Sequence, residues 1–158
     1  NEHVRLTKKG KYAVSAMLDI AFVQSKSNSF VKICDIAERQ RIPSSYLEQI
    51  LRNLRKADLL LAVTGPNGGY RLSKSSSDIS IADVVQCIEG KIDSTRCGGT
   101  TNCIAGQECL SHSLWTDLNA EMELFLSKRS LEDVLKGRKV KLSPHKSALE
   151  TKNMIVIG

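Results

Sequence analysis

The sequence predicts a mainly α fold: a winged helix-turn-helix DNA-binding domain with a small β-hairpin wing, then a metal-cluster loop and a long dimerisation helix. Three observations predict it. Two helical patterns flank Arg41-Ile-Pro43. A Gly65-Pro-Asn-Gly turn between two short β-type runs follows them. Further on, Cys97, Cys103, Cys109 and His112 gather just ahead of a wide apolar band with helical spacing.

Taking the elements in order, Leu6, Ala13, Val14, Met17, Leu18 and Ala21 recur at helical spacing and place a first helix over about 7–23. Its start carries Arg5, Lys8, Lys9 and Lys11, which read either as an ordinary solvated helix end or as a phosphate-contacting arm. Ser25-Lys-Ser-Asn-Ser ends that helix as a polar loop. Ile33 to Gln40 is a short helix in which Cys34, near the apolar side, is expected to be a small buried hydrophobe. Pro43 stops the turn, and a serine cap at Ser44 opens the next helix. There Leu47, Ile50, Leu51 and Leu54 form one buried stripe. The opposite face presents Ser45, Glu48, Gln49, Arg52, Asn53 and Lys56, with Arg55 beside them, side chains able to reach base edges and phosphates from a major groove. Glu48 has two readings: a Ser45-x-x-Glu48 capping box would occupy its carboxylate, or it accepts from a cytosine amine.

Leu60 to Leu72 reads as two strands around a turn in which proline presets the first position and Asn67 or glycine accepts positive φ at the next. A hairpin directly after a helix-turn-helix is a wing, and Thr64 and Arg71 are its candidate DNA contacts. Ser80 caps a helix over 80–88 with Asp83 at its third position; Ile81, Val84, Val85 and Ile88 face inward, and Cys87 at the stripe's edge is expected to be structural. Leu114, Trp115, Leu118, Met122, Phe125 and Leu126 mark a helix of about 112–128. Its apolar band is wide for one small domain, so a second copy of the chain is the expected cover. Ser130 to Leu135 is a further capped turn. From Lys136 the chain is lysine-rich without periodicity and reads as a disordered tail. The expected organisation is a DNA-binding domain over 1–79, the loop and dimerisation helices over 80–135, and a basic tail over 136–158.

Charge supports this division. Residues 1–74 carry thirteen Lys/Arg against six Asp/Glu, residues 75–135 four against ten, and residues 136–158 six against one. A polyanion partner is thus expected for the first part and not for the loop. No apolar run approaches the ~20 residues that span a bilayer, and no signal-peptide pattern opens the chain, so a cytoplasmic, reducing, nucleoid-associated setting is expected with no membrane partner. In such a setting clustered cysteines are metal ligands or redox thiols sooner than disulfides. No phosphate loop, dinucleotide fingerprint or catalytic triad pattern occurs, so no enzymatic activity is expected.

The loop remains chemically open on its residues alone. Five residues separate each cysteine from the next, and His112 follows Cys109 after two more. Thiolate and imidazole hold both zinc and iron–sulfur centres, but zinc favours tighter Cys-x₂₋₄-Cys pairs. A structural zinc staple, a disulfide-forming thiol switch and an iron–sulfur electron carrier are the alternatives.

Arg5-Leu-Thr-Lys-Lys-Gly-Lys-Tyr-Ala-Val, Ser45-Tyr-Leu-Glu-Gln, Gly65-Pro-Asn-Gly-Gly-Tyr and Cys97…Cys103…Cys109-Leu-Ser-His112-Ser-Leu-Trp closely resemble IscR, the bacterial iron–sulfur cluster regulators. These form one branch of a family of dimeric winged-helix repressors that also contains the nitric-oxide-sensing NsrR branch. The resemblance spans about residues 5–135, and His112 with Leu-Trp after it favours IscR. It implies a [2Fe-2S] cluster on Cys97, Cys103, Cys109 and His112, an iron–sulfur assembly scaffold as cluster donor, and base reading by Ser45, Glu48 and Gln49. It further implies a homodimer on double-stranded operator DNA that senses cluster supply and mainly represses cluster-assembly genes. In one respect the wing departs from the family: the resemblance implies an arginine before Gly-Pro where this chain has Thr64, and a glycine where it has Asn67. Thr64 offers only a neutral hydrogen bond to a minor groove, with Arg71 on the returning strand as the candidate substitute.

Overall fold

The computed structural model describes residues 6–90 and 110–142. The order is α1 (Lys8–Lys26), α2 (Ile33–Gln40), α3 (Ser44–Lys56), β1 (Leu60–Val63), β2 (Gly69–Leu72), α4 (Ile81–Glu89), α5 (His112–Ser127) and α6 (Leu131–Leu142). This is the mainly α winged-helix arrangement expected from the sequence, with α1 as the central element. It packs against α2, α3, α4, β2 and α6, and Ala13, Ala16, Met17 and Ile20 are fully buried along it. Small residues at two of those positions let neighbouring helices approach its backbone.

α3 shows how the pattern sets the packing. Leu47, Ile50, Leu51 and Leu54 are each fully buried, and each contributes about 1.5–3 kcal/mol by leaving water. That fixes the rotation of the helix and turns its opposite face outward. The start differs from the expected serine cap: Pro43 is the N-cap, Ser44 is already helical, and no side chain caps the first turn. The Ser45–Glu48 capping box is therefore not formed. The turn between α2 and α3 is closed by Arg41 in the left-handed region (φ 55°), with its N–H donating to the Ala37 carbonyl.

A buried charge holds α2 in place. Asp19 of α1 is 2% exposed and accepts two bonds from the Arg39 guanidinium, at 3.0 and 2.8 Å, and one from Gln40 Nε2 at 2.8 Å. The bond to Asp19 holds the Arg39 pKa above its ordinary value. Since Arg39 and Gln40 directly precede the turn, this cluster ties the entry of α3 to the central helix.

β1 and β2 pair antiparallel, Leu60 with Leu72 through Val63 with Gly69, and Val31 bridges Tyr70 at the root of the wing. Gly68 N–H closes the turn on the Gly65 carbonyl at 3.0 Å. Asn67 is not among the residues with positive φ, so the turn does not use the left-handed position anticipated for it. Gly68 instead is demanded by space, as a Cβ there would lie 2.1 Å from the Val63 carbonyl oxygen.

α4 carries the expected capping box between Ser80 and Asp83. Cys87 is half-buried, its Sγ 3.4 Å from the Asn53 carbonyl, and burial raises its pKa, in keeping with a structural role. Cys34 is exposed rather than buried: α2 is only two turns long, and its inward side is held by Ile36 and Gln40. The disordered tail expected from Lys136 also needs correction, because α6 continues through Lys136 to Leu142. A reciprocal Ser130–Asp133 cap starts that helix, Leu131 anchors it fully buried, and Lys136 pairs with Glu132 one turn back. Residues 143–158 lie outside the described residues.

Candidate nucleic-acid interface

The outward face of α3 gathers the predicted base-reading residues. Ser45, Glu48, Gln49 and Arg52 are all exposed and, with Tyr46, line one shallow concavity. Ser44 and Arg55 are exposed on the same helix. Glu48 Oε1 lies 3.9 Å from the Arg52 guanidinium, with both side chains about 60% exposed. Such a pair is worth at most ~1 kcal/mol, so either group exchanges it cheaply for a base edge or a phosphate. With the capping box absent, the Glu48 carboxylate is available to accept from a nucleobase amine.

The start of α1 lies beside this face. Lys8 and Lys11 are exposed and Lys9 is partly so, while Arg5 lies outside the described residues. Lys8 Nζ stands 5.6 Å from the centre of the Tyr12 ring, and Tyr12 meets Tyr46 of α3 edge to face with centroids 5.7 Å apart. The basic turn of α1 is thus fixed to the first turn of α3 by an aromatic pair. Sequence reasoning missed this contact, because no local period links residues 34 positions apart. On the wing, Thr64 is exposed near the tip. Arg71 pairs across from Leu61 and stacks on Phe30 at 5.6 Å, well back from the turn.

Of the four candidate cluster ligands, His112 alone is described; Cys97, Cys103 and Cys109 lie outside the described residues. His112 is the first residue of α5 and 7% exposed, the one buried residue of that helix. α5, which His112 opens, packs on α4. The predicted dimerisation residues divide. Leu114 and Phe125 are 61% and 54% exposed, while Trp115 and Leu118 are half-buried and Met122 leans against the core. Leu6, Met122, Phe125 and Leu126 line an apolar groove between the chain's start and α5.

A polar, partly basic helix face beside a two-stranded wing defines a winged-helix, DNA-binding transcriptional regulator. Residues 6–137 match the Rrf2 family, described as iron-dependent transcriptional regulators, and the chain belongs to that family. It is 44% identical over 137 residues to the HTH-type transcriptional regulator IscR of Vibrio atlanticus, covering 87% of this chain and 78% of the relative. Against IscR of Photorhabdus laumondii the identity is 45%, with 87% and 82% covered. Among solved structures it resembles T. potens IscR, with a TM-score of 0.71, 31% identity and 87% and 90% of the two chains covered. The fold is also that of CymR, the global cysteine regulator of B. subtilis, at a TM-score of 0.71 and 24% identity over 84% and 96% of the chains. These relatives are regulators, not enzymes. No described helix is long and apolar enough to cross a membrane.

Proposed function

We propose that the chain is an iron–sulfur-sensing regulator: it binds operator DNA as a homodimer, and occupancy of the Cys97–His112 loop sets its DNA recognition. The observation that carries this reading is His112, buried as the first residue of α5, in a chain whose relatives are iron-dependent regulators and whose other three candidate ligands are thiols spaced by five residues. The donor set fits. Three thiolates and one imidazole hold an iron–sulfur centre of the [2Fe-2S] type, with the imidazole as the one neutral, protonatable ligand. When bound, such a centre supplies a covalent tie between the loop and α5.

The protein's own residues do the remaining work. Ser45, Glu48 and Gln49 face the bases, Arg52, Arg55 and the lysines of α1 meet phosphates, and Leu114, Trp115, Leu118, Met122 and Phe125 with the groove beside Leu6 meet a second copy. Two recognition helices then read half-sites about one helical turn apart. The genes implied are those of cluster assembly, mainly repressed, and an assembly scaffold is the donor.

Anaerobic purification followed by a visible spectrum and by iron, zinc and sulfide analysis tests the reading. Iron and acid-labile sulfide in equal amounts, with visible absorbance, are expected. Zinc without sulfide would make the loop a staple and overturn the sensor.

A further inference from the structure

We infer that Glu89 is a positioning residue for DNA binding, joining the last turn of α4 to the DNA-facing start of α1; the sensing arm of this inference rests on the function proposed above. Thr7, the N-cap of α1, donates to Glu89 Oε1 through its backbone N–H at 2.6 Å and also through its hydroxyl. The carboxylate therefore sits on the N-terminal turn of α1, where a negative charge is favoured by the free amides and the helix dipole. Gly10 makes room for it: a Cβ at that position would stand 2.9 Å from both Glu89 Cδ and Oε1. Thr7 and Glu89 are 82 residues apart in the chain, so the contact joins two separate functions rather than tightening one local turn.

Both ends of the contact lie at informative places. Glu89 is the last residue of α4, and Gly90 follows at φ 75° and ψ −160°, turning the chain out of the helix. The candidate cysteine loop is reached a few residues later. On the other side, Thr7 leads into Lys8, Lys9 and Lys11. Lys8 lies over Tyr12, and Tyr12 lies against Tyr46 beside Ser45. A shift of Glu89 is thereby transmitted to phosphate-facing lysines and to the first turn of the recognition helix within three contacts.

Glu89 Oε2 is buried and has no hydrogen-bond partner among the described residues, so both bonds of the carboxylate fall on its other oxygen and on the single residue Thr7.

The test uses the full chain, with and without its metal centre. Binding to a duplex selected by the unsubstituted protein from a random-sequence pool is followed by fluorescence anisotropy, and hydrogen exchange is measured at residues 7–12. Glu89→Ala should speed exchange in that segment by about tenfold, weaken the duplex by about tenfold, and bring the loaded-to-unloaded affinity ratio towards one. Gly10→Ala should act alike from the opposite side, since its methyl displaces the carboxylate while leaving α4 untouched. Glu89→Gln keeps one acceptor and should restore much of each effect, which also covers the case in which Glu89→Ala does not fold. Faster exchange with unaltered DNA affinity and an unaltered ratio would reduce Glu89 to a structural cap and overturn the inference; unchanged exchange would remove the contact altogether. If the unsubstituted protein binds equally well loaded and unloaded, the sensing reading fails instead, and the exchange and unloaded-affinity arms still decide the positioning role.

Discussion

Arg52 and Glu48 stand one turn apart on the exposed face of α3, and their pairing at 3.9 Å is loose enough to leave the two proposed DNA contacts separable. Arg52→Ala should weaken binding to all duplexes alike and flatten the log–log salt dependence by about 1 in slope, the signature of one lost phosphate contact. Glu48→Ala should instead change which duplexes are preferred, read by selection from a random pool. Equal losses on every sequence would deny it a base-reading role. For the proposed cluster, His112→Cys would put a thiolate in place of the proposed imidazole ligand and should slow release of the centre to a chelator at neutral pH; an unchanged rate would remove the physical reason for lability. The polar face of α3 was legible in the sequence because burial of four apolar residues at helical spacing leaves only one side free. Asp19 was not. A carboxylate reads as solvated until the fold brings Arg39 and Gln40 to it from another helix.

At the scale of the element, local chemistry decided which predictions held. The wing followed from Gly65-Pro-Asn-Gly, because proline and a tightly enclosed Gly68 leave the chain few conformations besides a turn. The first turn of α3 went the other way. Ser44 and Ser45 both resemble caps, yet Pro43 takes that place and leaves Glu48 out of any capping box, paired only loosely with Arg52. α6 was missed beyond Leu135, because residues 136–142 carry no apolar period; its cap, its buried Leu131 and the Glu132–Lys136 pair support its start instead. That cap has a pH signature. Hydrogen bonds from Ser130, the backbone N–H above all and the hydroxyl after it, hold the Asp133 carboxyl below its ordinary value. A carboxyl depressed in the folded state contributes stability above its unfolded pKa of about 3.9, and that contribution is lost as pH falls through the lower folded value. The first turn of α6 should therefore exchange amide hydrogens faster as pH drops below about 4, after correction for intrinsic rates. Asp133→Asn should remove this extra pH dependence, whereas Ser130→Ala, which keeps the backbone N–H, should only reduce it.

On the scale of the whole molecule, α5 leaves much of its apolar band uncovered by the described residues. Sixteen residues long, it buries only His112 and leaves Leu114, Leu124 and Phe125 about half exposed or more, beside the groove of Leu6, Met122 and Leu126. Its apolar band was visible from sequence, but not which residues would turn to the core, since Met122 and Leu126 share the band with Phe125 and only packing separates them. An aromatic side chain carries about 150–250 Å² of surface to bury, so Phe125 is the side chain from which a two-fold seam would gain most. A dimer holds two recognition helices at fixed separation, which makes the second half-site contact intramolecular and raises avidity by roughly 10²–10⁴-fold. Phe125→Asp places a charge in that seam. The proposed seam predicts a dimer for the unsubstituted chain and a monomer for the variant in sedimentation, with affinity for a duplex carrying two half-sites lowered by about 100-fold. Binding to a single half-site should change little, because Phe125 is remote in sequence and element from the α3 face. A Phe125→Asp protein that still sediments as a dimer would move the seam away from α5.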